Sequence, residues 1–206
     1  IDRSKFSRAP RRAGEPRRLL FYARPQNAER NLFELGLYAL QRAVDDGVFD
    51  GERWDMLFIG ENIPDVALSP QITVRSARWL DYDAYASLIA TSDIALSLML
   101  SPHTSYPPLE IAAAGGIAVT NTYSVKTAER LARISPNIVA VEPTLEGVID
   151  GLREAVARVR AGAHHAVPIA LPGTWEESFA DLLPRAIAMY EQCLAARPAQ
   201  RVSASA

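Results

Sequence analysis

The sequence lacks several motifs that identify the ligand of a nucleotide-binding or hydrolytic protein. It contains no G-x-G-x-x-G, which excludes the usual dinucleotide-binding turn, and no G-x-x-x-x-G-K-[ST], which excludes a P-loop. It also contains no G-x-S-x-G, which excludes the nucleophile elbow of α/β-hydrolases. Tyr123 and Lys126 are too close in sequence to form the Tyr–Lys pair of a short-chain dehydrogenase or sugar epimerase.

Cysteine, metal ligands and long apolar runs are also scarce. Cys193 is the only cysteine, so no internal disulfide can form. His164 and His165 have no partner ligands at metal-site spacing, so we predict neither a metal nor a cofactor. No apolar run is long enough for a membrane span or a signal peptide. These absences predict a cytoplasmic protein.

Charge is distributed unevenly along the 206 residues. Residues 1–18 carry a net charge of +5 and the remaining residues carry −7, which argues against nucleic acid as a partner. The basic segment could contact anionic lipid at the inner membrane face, but it lacks an apolar face, which favours a solvated linker or tail over residues 1–17. We predict one domain over 18–196 and a disordered tail over 197–206. Because the first residue is Ile1, we expect a longer native protein.

Apolar runs of strand length alternate with helical patterns along the chain. The predicted strands are 18–23, 54–59, 71–76, 93–100, 117–121 and 137–141. Asp81 has the position of a helix N-cap, and Thr174 and Glu177 have the spacing of a capping box. This order predicts an α/β fold with a doubly wound, parallel, Rossmann-like sheet, which binds ligands at the carboxyl ends of its strands.

The most informative stretch is SPHTSYPPLEIAAAGG, residues 101–116, which follows the most apolar strand. Two prolines at 107–108 suit a helix start, where N–H groups have no intrahelical acceptor. We expect free N–H groups near 104–106 and at Leu109 to form an anion site suited to a diphosphate. Glu110 could accept hydrogen bonds from sugar hydroxyls, or it could be an ordinary helix-start charge.

Two arginines are the second candidate element. Arg24 follows the first strand and Arg30 lies near the start of the next helix. In a doubly wound sheet both face the same crevice as residues 101–110, where guanidinium groups could bind phosphates. The alternative is a pair of surface arginines.

Four segments carry a specific resemblance: FYARP at 21–25, RNLFELGL at 30–37, SDIALSLMLSPHTSYPPLEIAAAGG at 92–116 and IAVTNTY at 117–123. They resemble the C-terminal donor domain of GT-B glycosyltransferases, and most of all bacterial rhamnosyltransferases that use dTDP-rhamnose to build surface polysaccharides. TWEESF, at 174–179, resembles the final helix that crosses back to the N-terminal domain in that family.

The resemblance assigns roles to individual residues. Arg24 and Arg30 would bind the diphosphate, the backbone of Thr104, Ser105 and Tyr106 a phosphate, and Glu110 the ribose-type ring. Many retaining relatives have a second glutamate where this chain has Pro102, so Ser101 and His103 are the local candidates to contact the transferred sugar. The base would lie against residues 77–80, with Trp79 as its contact.

The sequence thus predicts a retaining glycosyltransferase half that binds a dTDP- or UDP-linked sugar. A glycan acceptor would be bound by a missing N-terminal domain, so we expect the isolated chain to be inactive. The alternative is a nucleotide-binding module without catalysis. A signalling receiver is disfavoured because Arg24 and the run 75–78 stand where its acidic residues belong.

Overall fold

The computed structural model describes residues 1, 4–10, 14–162 and 169–196. The chain divides into two compact units, Ile1–Leu171 and Pro172–Ala206. The histidine pair at 164–165 and the predicted tail 197–206 lie outside the described residues.

The first unit is built on one seven-stranded sheet. Its strands are β1 (Arg17–Tyr22), β2 (Trp54–Ile59), β3 (Val66–Ala67), β4 (Thr73–Ser76), β5 (Ile94–Leu96), β6 (Ile117–Asn121) and β7 (Ile138–Val141). They lie in the order β3-β4-β2-β1-β5-β6-β7, and every pairing is parallel except that of β3 with β4. The predicted α/β fold with a doubly wound sheet is confirmed.

Helices connect these strands and cover both faces of the sheet. A 3-10 turn (Pro25–Asn27) precedes α1 (Ala28–Asn31), α2 (Phe33–Asp45), α3 (Tyr82–Ala90), α4 (Pro107–Ala113), α5 (Ala128–Ile134) and α6 (Leu145–Arg160). The Asp81 carboxylate accepts a hydrogen bond from the Ala84 N–H at 2.8 Å, which confirms the predicted N-cap of α3.

Two apolar layers hold the helices to the sheet. Side chains of α2 and α6 pack on one face, and those of α3, α4 and α5 pack on the other. Gly151 of α6 lets that helix approach the sheet closely, because a Cβ at this position would lie 2.4 Å from Val141 Cγ1. The helices change face between β1 and β5, so the carboxyl ends of these two neighbouring strands flank the switch point of the sheet.

The structure departs from the sequence prediction at the sheet edge and in the central strand. The short antiparallel strand β3 is not predicted, because a two-residue strand has no recognisable hydrophobic period. β5 contains three residues rather than the eight predicted over 93–100. Residues 97–100 of that apolar run are mostly buried but lie beyond the carboxyl end of the strand.

Residues 4–10 pack against the domain, although their composition suggested a solvated linker. Phe6 is buried and meets the rings of Tyr82 and Tyr85 edge-on, with centroid distances of 6.0 and 6.2 Å. Lys5 pairs with Asp83 at 2.5 Å. We call residues 4–10 the N-terminal strap.

The second unit contains α7 (Trp175–Phe179) and α8 (Leu182–Ala195). The Glu177 N–H donates to Thr174 Oγ1 at 3.2 Å, and the Glu177 carboxylate accepts from the Gly173 N–H at 2.7 Å, so the predicted capping pair caps α7. Leu182, Leu183, Ile187 and Tyr190 of α8 are all exposed. Within the described residues, no helix has the length and apolar character required to cross a membrane.

Candidate nucleotide-binding site

A cavity of about 370 Å³ lies in the first unit, among residues that follow β1, β2 and β4. Its lining includes Tyr22, Arg24, Glu61, Arg78, Trp79 and Tyr85. Two of the residues predicted from the sequence, Arg24 and Trp79, therefore share one cavity. This is the edge of the sheet at which doubly wound folds bind their ligands.

Arg24 occupies the exit of β1, and its side chain is 43% exposed. The pKa of its guanidinium is raised above its ordinary value, chiefly by the hydroxyl of Tyr22 and to a smaller degree by Glu61. Arg24 Nε lies 3.3 Å from a Glu61 carboxylate oxygen, so one side of the guanidinium is oriented by the protein. Its terminal nitrogens can still bind an anion.

Sequence reasoning missed Arg78 as a candidate. Arg78 has a φ of 57°, a left-handed conformation that non-glycine residues seldom adopt, and it lines the cavity with Arg24. Strained backbone of this kind occurs often at ligand sites. The next residue, Trp79, is 88% exposed, so its indole face is open to a stacking partner.

Glu110 is not the ordinary, solvent-exposed helix-start charge that the sequence offered as the alternative to a ligand-binding residue. It is only 8% exposed, and its Oε2 accepts a hydrogen bond from the Tyr85 hydroxyl at 2.6 Å. Burial raises the pKa of its carboxyl group, and the Tyr85 hydrogen bond partly opposes that rise. Tyr85 also lines the cavity, so Glu110 is linked to the cavity wall through one hydroxyl.

Residues 101–106 form a loop that is ordered by its own hydrogen bonds. Ser101 Oγ accepts from the His103 N–H at 3.2 Å, and His103 Nδ1 accepts from the Ser105 N–H at 2.9 Å. Ser105 has a φ of 71°, and the rings of His103 and Tyr106 lie 6.0 Å apart. Because His103 Nδ1 is an acceptor, a neutral imidazole carries its proton on Nε2.

Two of the N–H groups predicted to be free are already bonded. The Leu109 N–H donates to the Tyr106 carbonyl at 2.9 Å, so the expectation for Leu109 is wrong. The Ser105 N–H is bonded to His103, as described above. Within the described residues, the N–H groups of Thr104 and Tyr106 have no acceptor. A first turn of 3-10 type and a histidine acceptor inside the loop explain the difference.

Three elements hold the start of this loop. The Asn121 side chain accepts from the Met99 N–H at 2.7 Å and donates to the Met99 carbonyl at 3.2 Å. The amine of Lys126, a residue that is 3% exposed, donates to the same carbonyl at 2.9 Å. The Leu100 N–H donates to the Arg30 carbonyl at 2.7 Å.

The predicted residues thus fall into two groups. Arg24 and Trp79 line the cavity, and Glu110 reaches it through Tyr85. Arg30 is exposed and lies beside the loop 101–106 through its backbone, and no residue of that loop lines the cavity. Among the described residues, no group of three or more His, Cys, Asp or Glu side chains could hold a metal ion.

Comparison with known proteins identifies the family. Residues 17–153 match the family described as the C-terminal domain of WsaF. The O-antigen biosynthesis protein RfbC of Myxococcus xanthus is 35% identical over an alignment of 181 residues, and the match covers 85% of this chain and 14% of that protein.

Solved structures show the same fold. The C-terminal domain of a glycosyl transferase group 1 family protein (LpcC) from Francisella tularensis superposes with a TM-score of 0.56 at 16% identity, over 81% of this chain and 92% of that one. Sucrose-phosphate synthase from Thermosynechococcus elongatus superposes with a TM-score of 0.50 at 14% identity, over 96% of this chain and 52% of that one. The chain therefore belongs to the WsaF C-terminal-domain family, and its fold is that of one half of a GT-B glycosyltransferase.

Proposed function

We propose that this chain is the donor-binding half of a glycosyltransferase that takes part in synthesis of a surface polysaccharide. Its donor is a nucleoside-diphosphate sugar, of which dTDP-rhamnose fits the sequence resemblance best. The relative from Myxococcus xanthus is an O-antigen biosynthesis protein, and this chain spans 14% of its length. The glycan acceptor would be bound by another part of such a longer protein.

One arrangement carries the proposal: a buried carboxylate bonded to the wall of a cavity that two arginines also line. Glu110 provides a charged acceptor for a ribose-type hydroxyl, and its Tyr85 partner belongs to the cavity wall. Arg24 and Arg78 provide guanidinium groups for a diphosphate. Trp79 provides an exposed aromatic face for a base.

The chemistry that follows is electrostatic. Transfer of the sugar, with retention at its anomeric carbon, leaves negative charge on the departing diphosphate, and cations placed beforehand at that position lower the barrier. Arg24 and Arg78 are the cations of the cavity, and Arg30 lies by the loop 101–106. With guanidinium groups in this role, neither a metal nor a cofactor is needed.

A nucleotide-binding module without catalysis is the second candidate, and Pro102 is the observation that favours it. A proline cannot supply the side-chain contact that the second glutamate of many retaining relatives makes. The two candidates differ in turnover: a longer protein that contains this domain transfers sugar in the first case and only binds donor in the second. The isolated chain is expected to bind nucleotide without transfer in both.

Glu110→Gln tests the proposal, because it keeps the shape of the side chain and removes its charge. Losing a hydrogen bond to a charged group weakens binding by ~1.5–3 kcal/mol, about tenfold or more in Kd. Calorimetric titration of dTDP into the chain and the variant measures the change. Glu146→Gln is the matched control, since Glu146 also lies in the first turn of a helix but is exposed.

The paired variants separate a ligand-binding carboxylate from a helix-start charge. If Glu110 is only a helix-start charge, worth ~0.3–1 kcal/mol of stability through the helix dipole, both variants leave dTDP affinity unchanged. If the proposal holds, only Glu110→Gln loses affinity. A Glu110→Gln protein that binds dTDP as tightly as the parent contradicts the assignment.

A further inference from the structure

The Tyr85–Glu110 pair joins two helices across 25 positions of sequence. Tyr85 lies on α3 and Glu110 on α4. The Tyr85 ring also packs against Phe6 of the N-terminal strap, whose buried ring meets it at an interplanar angle of 76°. The hydroxyl is therefore held on Glu110 by the packing of its ring against Phe6 as well as by its hydrogen bond.

The pair leaves the two oxygens of Glu110 unequal. Oε2 accepts the Tyr85 hydroxyl at 2.6 Å, whereas no residue in the described part of the chain donates to Oε1. Within the described residues, one oxygen of the carboxylate therefore accepts a hydrogen bond and the other has no donor.

Breaking the pair to open the second oxygen is unfavourable. Glu110 is almost fully buried, so removing the Tyr85 hydroxyl from its carboxylate costs more free energy than breaking a hydrogen bond between two neutral groups. A second ligand hydroxyl would instead meet the phenol oxygen of Tyr85, a neutral acceptor that forms a bond about half as strong as a carboxylate does. Glu110 is thus suited to one sugar hydroxyl rather than to a cis-diol.

We propose that Tyr85 is a specificity-determining residue that makes the site favour 2′-deoxyribonucleoside diphosphates over ribonucleoside diphosphates. This inference rests on the proposed function, in which Glu110 binds the nucleoside sugar. A deoxyribose offers its 3′-hydroxyl alone to Oε1, the oxygen that has no donor among the described residues. A ribose also buries its 2′-hydroxyl, for which no charged acceptor remains.

UDP and dUDP test the proposal directly, because they differ only in the 2′-hydroxyl. Their Kd values are measured by calorimetry for the whole chain, for Tyr85→Phe and for Tyr82→Phe. Tyr85→Phe keeps the ring against Phe6 and frees Oε2, whereas Tyr82→Phe removes a hydroxyl from the same helix and the same Phe6 contact. Thermal melting of each variant verifies folding.

We expect the parent chain and Tyr82→Phe to bind dUDP more tightly than UDP. We expect Tyr85→Phe to shift the UDP-to-dUDP affinity ratio about tenfold towards UDP, the low end for one hydrogen bond to a charged group. An unchanged ratio in Tyr85→Phe overturns the proposal. If that variant does not fold, the parent chain alone decides, since an affinity for UDP equal to or higher than that for dUDP overturns the proposal too.

The failure of the two proposals can be distinguished. If neither nucleotide binds the parent chain, the proposed function fails and the role of Tyr85 fails with it. If both bind and both lose affinity in Glu110→Gln, but Tyr85→Phe leaves their ratio unchanged, the proposed function stands and the inference about Tyr85 is wrong.

Discussion

The amine of Lys126 gives the sharpest test of the structure that does not depend on function. Burial lowers its pKa from 10.5 to about 8, and it lies against the Met99 carbonyl at 2.9 Å. Below pH 8 the amine is protonated in both the native and the unfolded chain. Between pH 8 and 10.5 only the unfolded chain keeps the proton, so the free energy of unfolding rises with pH. At 1.36 kcal/mol per pKa unit, the rise is about 3 kcal/mol.

Two measurements examine this rise. The sequence contains only two lysines, Lys5 and Lys126, so selective isotope labelling gives two titrating NMR signals. Urea unfolding from pH 7 to pH 10 then compares Lys126→Met, which loses the rise, with Lys5→Met, which keeps it, because Lys5 is exposed. If the Lys126 signal titrates near 10.5, Lys126 is not buried as the structure has it and the reasoning is refuted.

Three further results are expected. Gly36→Ala destabilises the chain by ~1–3 kcal/mol in urea unfolding, because the added Cβ would lie 2.4 Å from Phe21 Cζ. Gly173→Ala is the control and is near neutral, since its Cβ would meet Glu177 Oε2 at an ordinary contact distance of 3.6 Å. Phe6→Ala lowers stability by ~3–5 kcal/mol, and a loss below ~1 kcal/mol means the N-terminal strap is not docked. The affinity for dTDP falls as the salt concentration rises, because Arg24 is partly exposed, whereas the affinity for thymidine does not change. If salt weakens the binding of dTDP and of thymidine equally, the phosphate site has been assigned to the wrong residues.

Patterns with a local cause were predicted well. Trp54–Ile59 and Ile117–Asn121 form strands with the expected bounds, because both are short β-rich apolar runs bounded by breaks in the pattern. The Asp81 cap also follows from a local rule, since its acceptor lies three residues from its donor. The sheet class follows from the alternation of these elements.

The arrangement of the candidate site depends on contacts that the sequence does not encode locally. The partners Tyr85 and Glu110 lie on different helices, so only the packing of α3 against α4 brings them together. Arg78 gains its place in the cavity through a left-handed backbone conformation that no residue pattern at 75–80 indicates. The bonded N–H of Leu109 likewise depends on how tightly the first turn of α4 winds.

The hydrogen bonds that fix the backbone of Met99 and Leu100 have a consequence for the entropy of ligand binding. Asn121, Lys126 and Arg30 fix the backbone from which the loop 101–106 departs, and Ser101 and His103 bond within the loop itself. The conformational entropy of that backbone is lost when the chain folds rather than when a ligand arrives. A ligand that contacts this loop therefore meets a surface already in its bound shape, and more of its contact energy remains as affinity.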